Sequence, residues 1–98
     1  MRGLTRCAAL ELGRDRIRVN TVCPAGGSDE MAAPFRPPGA DPVAYTANRA
    51  IPRRATLDEI ASMILFLASD ESSFCTGGDY VVDGGHTAGT VLSAIATP

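Results

Sequence analysis

Lysine is absent from this sequence. All nine basic residues are arginine, which removes every lysine-based mechanism from the chain. Histidine occurs once, as His86, with no second candidate ligand for a metal and no nucleophile beside it. It reads as a surface or interface residue, or as one lining a substrate mouth, since it follows the end of an expected strand. Cysteine is sparse: Cys7, Cys23 and Cys75 are odd in number, far apart and without a C-x-x-C pair. They read as reduced, apolar filler in a cytoplasmic protein. No apolar run approaches the ~20 residues of a membrane span, and the first residues show no secretory leader pattern. The net charge of −2 leaves no electrostatic footprint for nucleic acid or an anionic membrane. Internal repeats are missing as well.

What is present is an ordinary apolar content of 45% in 98 residues. That suffices for one small domain, or a piece of a larger one, burying about 60–70% of its unfolded surface. The densest β-branched stretch is Ile17-Arg18-Val19-Asn20-Thr21-Val22-Cys23-Pro24, which predicts a buried strand ending in a Gly-rich loop. In open α/β sheets ligands bind beyond the carboxyl ends of strands, so Pro24 to Met31 is the candidate site. Before it, Arg2 to Leu12 predicts a helix with Leu4, Cys7, Ala8 and Leu12 on one apolar stripe and Gly13 as its stop. Met1-Arg2-Gly3 offers no N-cap, so this helix is expected to be the second half of a longer one.

After the strand, residues 24–55 are rich in proline, a pattern expected of a functional lid or a linker. A short helix fits Asp41 to Arg49, with Pro42 at its first position. Thr56-Leu57-Asp58-Glu59 spells a capping box opening a helix that runs to about Ser69. Its expected core stripe is Leu57, Ile60, Ala61, Ile64, Leu65 and Ala68, with Met63 and Phe66 outside it. A helix apolar on more than one face is expected to be buried on more than one face, the second partner being another subunit. Tyr80 to Val82 then forms a short strand stopped by Asp83-Gly84-Gly85, and His86 to Pro98 is a small, mildly apolar tail. Strand, helix and strand make a parallel βαβ unit. Two strands leave open edges and an uncovered face, so the sheet is expected to be incomplete.

Several motifs stand in one order and spacing: Arg16 to Pro24; Pro52-x-Arg54 with Thr56-Leu57-Asp58-Glu59-Ile60-Ala61; Leu65 to Asp70; Ser72 to Gly77; and Val82-Asp83-Gly84-Gly85. Together they resemble the carboxy-terminal third of a short-chain dehydrogenase/reductase. The resemblance implies an α/β fold, an incomplete Rossmann-like, doubly wound parallel sheet with its last two strands and flanking helices. It makes residues 1–98 the end of one NAD(P)-binding domain, with 24–55 as substrate and cofactor lid and 86–98 as tail. It implies NAD or NADP as cofactor, a hydroxy or keto compound (possibly steroid-like) as substrate, and a dimer or tetramer formed through the 56–69 helix and the last strand.

The family's glycine-rich motif and its catalytic Ser, Tyr and Lys all fall before the point matching Met1. No catalytic residue is therefore expected in this chain, which should be inactive alone. The alternative is a non-catalytic fragment that docks on full-length family members. The cofactor-binding residues implied are Pro24, Ala25, Gly26, Gly27 and Ser28, the last as a hydroxyl donor. The loop departs from the family pattern: Ala25 stands for its Gly and Asp29 for its Thr or, with a one-residue slip, Gly26 matches the Gly and Glu30 takes the Thr position. A carboxylate there faces the pyrophosphate region and repels it, which leaves a purely structural loop as the other reading.

Three further features have plain structural readings. Tyr45-Thr46-Ala47-Asn48-Arg49 imitates Tyr-x-x-x-Lys spacing but falls in the lid, after the strand that the motif should precede. Asp83-Gly84-Gly85 ends a strand with no helix pattern behind it, so it is a turn and not a phosphate cradle. Asp58 and Glu59 cap a helix and are no acid/base pair.

Overall fold

A computed structural model describes residues 1–25, 39 and 46–92. In chain order these form α1 (Arg2–Leu12), a 3-10 turn at Gly13–Asp15, β1 (Thr21–Pro24), α2 (Leu57–Ala68), a 3-10 turn at Asp70–Ser72, β2 (Asp79–Val82) and a last 3-10 turn at His86–Ala88. The two strands pair in parallel, Thr21 against Asp79 through Pro24 against Val82. The arrangement is a small α/β unit with two parallel strands. The helix expected over Asp41 to Arg49 lies outside the described residues as far as Tyr45.

α2 opens as its capping box requires. The Glu59 amide donates to Thr56 Oγ1 at 3.2 Å, and Glu59 Oε1 accepts from the Thr56 amide at 2.8 Å. Its end is built from a distant residue. Arg18 Nη1 donates to the Leu67 carbonyl at 2.8 Å and to Ser72 Oγ at 2.9 Å, and Arg18 Nη2 donates to the Ser69 carbonyl at 3.1 Å. A guanidinium thus occupies the negative end of the helix dipole and satisfies carbonyls left without intrahelical partners.

That clamp explains why the first strand is shorter than its sequence suggests. The ladder spans four residues, Thr21–Pro24, not the eight from Ile17. Residues 18–20 spend their bonding groups on the turn before β2 instead. The Val19 amide donates to Thr76 Oγ1, and the Val19 carbonyl accepts from the Gly77 amide at 2.8 Å. Asn20 brackets the same turn, donating to the Cys75 carbonyl at 2.9 Å and accepting from the Gly78 amide at 3.1 Å. The first helix stops where expected, at Leu12 with Gly13 as its C-cap. Gly13 remains right-handed, and the chain reverses at Arg16, with φ 61°. A non-glycine residue in that conformation costs about 1–2 kcal/mol.

The helix faces differ from those expected. On α1 the buried residues are Thr5 and Ala9, whereas Leu4 is 73% exposed and Cys7 lies open. The face against the sheet is chosen by polar contacts. The Thr5 and Thr21 hydroxyls meet at 2.6 Å, and Arg2 and Arg6 approach Asp79 Oδ2 at 3.5 and 3.7 Å. Residues 2, 5, 6 and 9 share one helical side, so Leu4 and Cys7 of the expected stripe are turned away, while Ala8 and Leu12 stay half-buried. On α2 the inward residues are Ile60, Met63 and Leu67; Leu57, Ile64 and Leu65 of the expected stripe are exposed. Ala9 and Leu67 are the buried apolar residues among those described, so the expectation of a modest core is not met within this chain. The cysteines are free, but Cys7 is surface rather than filler.

Candidate functional site

The ladder of β1 and β2 continues one residue past β1, the Ala25 amide donating to the Val82 carbonyl at 3.1 Å. Both strands therefore end level, and the chain leaves them as two loops side by side. Beyond β2, Asp83 organises the turn. Its Oδ1 accepts from the Gly85 amide at 2.9 Å, and its Oδ2 accepts from the Thr87 amide at 3.0 Å and the Thr87 hydroxyl at 2.6 Å. These donors, the Thr87 hydroxyl foremost, hold the Asp83 carboxyl below its ordinary pKa.

Gly84 and Gly85 have φ values of 61° and 88°, the left-handed region that glycine adopts without penalty. They are also a close approach. A Cβ on Gly85 would sit 2.8 Å from the Ala50 methyl, and the Ile51 amide donates to the Gly84 carbonyl at 2.9 Å. The segment 46–51 is thereby pressed against the end of β2, and the Val91 amide ties the following strand of chain to the Asn48 carbonyl at 2.8 Å. His86 closes this turn and joins no cluster of metal-ligating side chains; among the described residues there is none.

A cleft of about 370 Å³ opens where these pieces meet, in the size range of small-molecule sites. Ala25, Arg49, Ile51, Val81, Asp83 and Gly85 are among its walls. Arg53 and Glu59 stand at its rim as a bidentate pair at 2.7 and 2.9 Å. That pair, with the Thr56 amide, lowers the Glu59 pKa from 4.5 to about 2. A second cavity of about 440 Å³ lies beside β1 under α2, lined by Arg18, Asn20, Val22, Ile64 and Leu67.

Of the implied cofactor residues, Pro24 is exposed at the strand end and Ala25 lines the first cleft. Gly26, Gly27 and Ser28 lie outside the described residues, as does Asp29. Because the Ala25 amide is already bonded to Val82, Ala25 can offer a nicotinamide surface but no hydrogen-bond donor. Gly84 and Gly85 were legible as a turn, yet their packing on Ala50 and Ile51 was not, because nothing local links residues that far apart. Arg49 was legible only as a charge in an imitation motif.

A profile described as enoyl-(acyl carrier protein) reductase matches residues 1–87. The trans-4-hydroxycyclohexanecarboxylate dehydrogenase of Sinomonas cyclohexanicum is 44% identical over 93 residues, covering 94% of this chain and 33% of that protein. The 3-alpha-(or 20-beta)-hydroxysteroid dehydrogenase of Mycobacterium tuberculosis is 40% identical over 89 residues, covering 91% of this chain and 32% of its own length. Among solved structures, a 4-hydroxyisoleucine dehydrogenase complexed with NADH superposes with a TM-score of 0.77 at 34% identity, over 90% of this chain and 36% of that one. The chain belongs to the short-chain dehydrogenase/reductase family, and its two strands are part of that Rossmann-type sheet. It spans about one-third of the length of the relatives it matches. No helix among the described residues is long and apolar enough to cross a membrane.

Proposed function

We propose that this chain is the carboxy-terminal part of an NAD(P)-dependent oxidoreductase. The reaction is hydride transfer between a nicotinamide and a secondary alcohol or ketone on a small molecule; the cofactor would accept the hydride in alcohol oxidation and donate it in ketone reduction. The observation that supports this most directly is the paired strand ends, where Pro24 and Ala25 lead into the implied cofactor loop beside the Asp83 turn. Pro24, Ala25, Gly26, Gly27 and Ser28 form the cofactor-facing loop in this reading. The relatives, a hydroxycyclohexanecarboxylate dehydrogenase and a hydroxysteroid dehydrogenase, point to hydroxyl groups on hydrocarbon rings. The chain contributes walls and loops; the acid/base residues come from elsewhere, so the chain alone turns over nothing. The setting is cytoplasmic.

Complementation tests this. The 98-residue chain is co-expressed with the Sinomonas relative truncated before the matched segment, and NAD(P)H-linked turnover is followed. Turnover is expected from the pair and from neither part. Turnover by the chain alone removes the claim of inactivity, and a pair that neither associates nor reacts removes the assignment.

The open apolar side of α2 favours a second reading. Leu57, Ile64 and Leu65 are 63%, 51% and 71% exposed, more apolar surface than one short helix leaves to solvent without a partner. The chain then serves as an interaction fragment, docking on full-length family members or on copies of itself through α2 and β2. Pull-down with an intact relative distinguishes this, and a chain that stays monomeric and unbound rules it out.

A further inference from the structure

Asp83 is followed by glycine, and no other aspartate or asparagine of the sequence is. That pair carries a latent reaction. The Gly84 amide nitrogen can attack the carbon of the Asp83 side-chain carboxyl and form a C–N bond, while the acid hydroxyl leaves with the amide proton as water. The product is a five-membered succinimide. Water then opens the ring at either carbonyl. One opening restores aspartate; the other gives isoaspartate, whose backbone runs through the former side chain. No oxidant or cofactor is needed. Glycine permits the attack because it sets no side chain beside the nucleophile.

The fold decides when this happens. Ring closure requires the Asp83 carboxyl to swing onto the nitrogen of the next residue. In the structure both of its oxygens are engaged further along the chain. Oδ1 accepts from the Gly85 amide at 2.9 Å, and Oδ2 accepts from the Thr87 amide at 3.0 Å and the Thr87 hydroxyl at 2.6 Å. The backbone is held as well. The Gly84 carbonyl accepts from the Ile51 amide at 2.9 Å, and Gly85 lies against the Ala50 methyl. These donors, the Thr87 hydroxyl foremost, favour the ionised carboxyl, which is the poorer electrophile. Thr87 is exposed, so the shortest of these bonds is one that water can compete for.

We infer that Asp83–Gly84 is an isoaspartate-forming site held shut by the Thr87 hydroxyl, and that its modification dismantles the cleft at the strand ends. Isoaspartate lengthens the backbone by one atom between β2 and Gly84. The Gly84 carbonyl then leaves the Ile51 amide, Gly85 leaves Ala50, and segment 46–51 loses its seat on β2. None of this depends on the oxidoreductase reading.

The 98-residue chain is aged at neutral pH, and isoaspartate is located by electron-transfer fragmentation and counted with an isoaspartate-specific carboxyl methyltransferase. Because the ring closes only from the opened turn, the chain in urea should form isoaspartate at residue 83 at least ~10-fold faster than the folded chain. Thr87→Val keeps the amide donor and loses the hydroxyl. It should raise the folded rate at least ~5-fold, with the Ala25 amide still protected from hydrogen exchange, and Thr87→Ser should bring the rate back. In aged samples the isoaspartyl molecules should exchange the Ile51 amide faster than unmodified ones.

Equal rates in urea and in buffer overturn the protection by the turn, without recourse to any variant. Absence of isoaspartate at residue 83 in urea removes the site itself. A Thr87→Val rate no higher than that of the natural chain, a Thr87→Ser rate as high as Thr87→Val, or loss of Ala25 protection in Thr87→Val each remove the hydroxyl as the local catch. Unchanged exchange at Ile51 in the modified molecules removes the consequence for the cleft.

Discussion

The two sides of α2 are held by different physics. On the inner side, Arg18, Asn20 and Ser72 form a hydrogen-bonded seam that joins residues 18–20 to the helix end and to the turn before β2. Ser72 is 1% exposed there, and Leu67 is buried beside it. On the outer side, Leu57 and Leu65 stand in solvent. The seam is complete within the chain and the hydrophobic burial is not. Polar bonding in this family member is therefore satisfied within the βαβ unit, while much of the apolar surface of its helices stays exposed. A unit of this kind can take its shape from directional bonds yet lack the buried area that normally makes a domain stable.

The comparison breaks most visibly if the seam is cut. Arg18→Met removes three donors at once, leaving the Ser72 oxygen and the last carbonyls of α2 without them. It should destabilise the chain by about 2–3 kcal/mol, read from denaturant unfolding. Leu67→Ala should cost a similar amount, about 2–3 kcal/mol, as the one buried large apolar residue on α2.

Gly85→Ala comes next. A methyl group 2.8 Å from Ala50, on a backbone at φ 88°, should cost about 1–2 kcal/mol and lift segment 46–51 off β2. Loss of hydrogen-exchange protection at the Ile51 amide would report it. A smaller effect is tied to pH. The folded Glu59 pKa of about 2 lies below its ordinary 4.5, so the contribution of its cap and ion pair is complete above pH ~4.5 and fades as pH falls through 2. Helicity of α2 should decline over that window, and Glu59→Gln should flatten the profile. The smallest effect is expected on the outer side. Leu65→Gln should change monomer stability by no more than ~0.5 kcal/mol while weakening any association detected by sedimentation. A large loss of monomer stability would show that the outer face is already covered within the chain.

Much of the fold was readable because its signals are local. The capping box at Thr56 to Glu59 needs only three residues of spacing, and both of its hydrogen bonds form. The second strand and its Asp83 stop likewise depend on near neighbours. The strand at Ile17 was overestimated because β-branched residues announce extended chain, not which partner it bonds. Arg18 and Asn20 lie outside the ladder and serve a helix end and a turn some fifty residues away. The helix stripes were met only in part, for a related reason. When apolar residues surround a helix, periodicity cannot choose the inner face, and on α1 a threonine pair and two arginines chose it instead.

The candidate site divides in the same way. By itself the sequence determined the class of fold, the positions of the strand ends and the glycine turn, since composition and short spacing set backbone preference. Only the tertiary structure decided that Gly85 would admit Ala50, that the Ala25 amide would be consumed by Val82, and that the Arg49 Nε would be enclosed without an acceptor. These are contacts between segments far apart in the chain. Their energies depend on distance and burial, which exist only once the strands have paired.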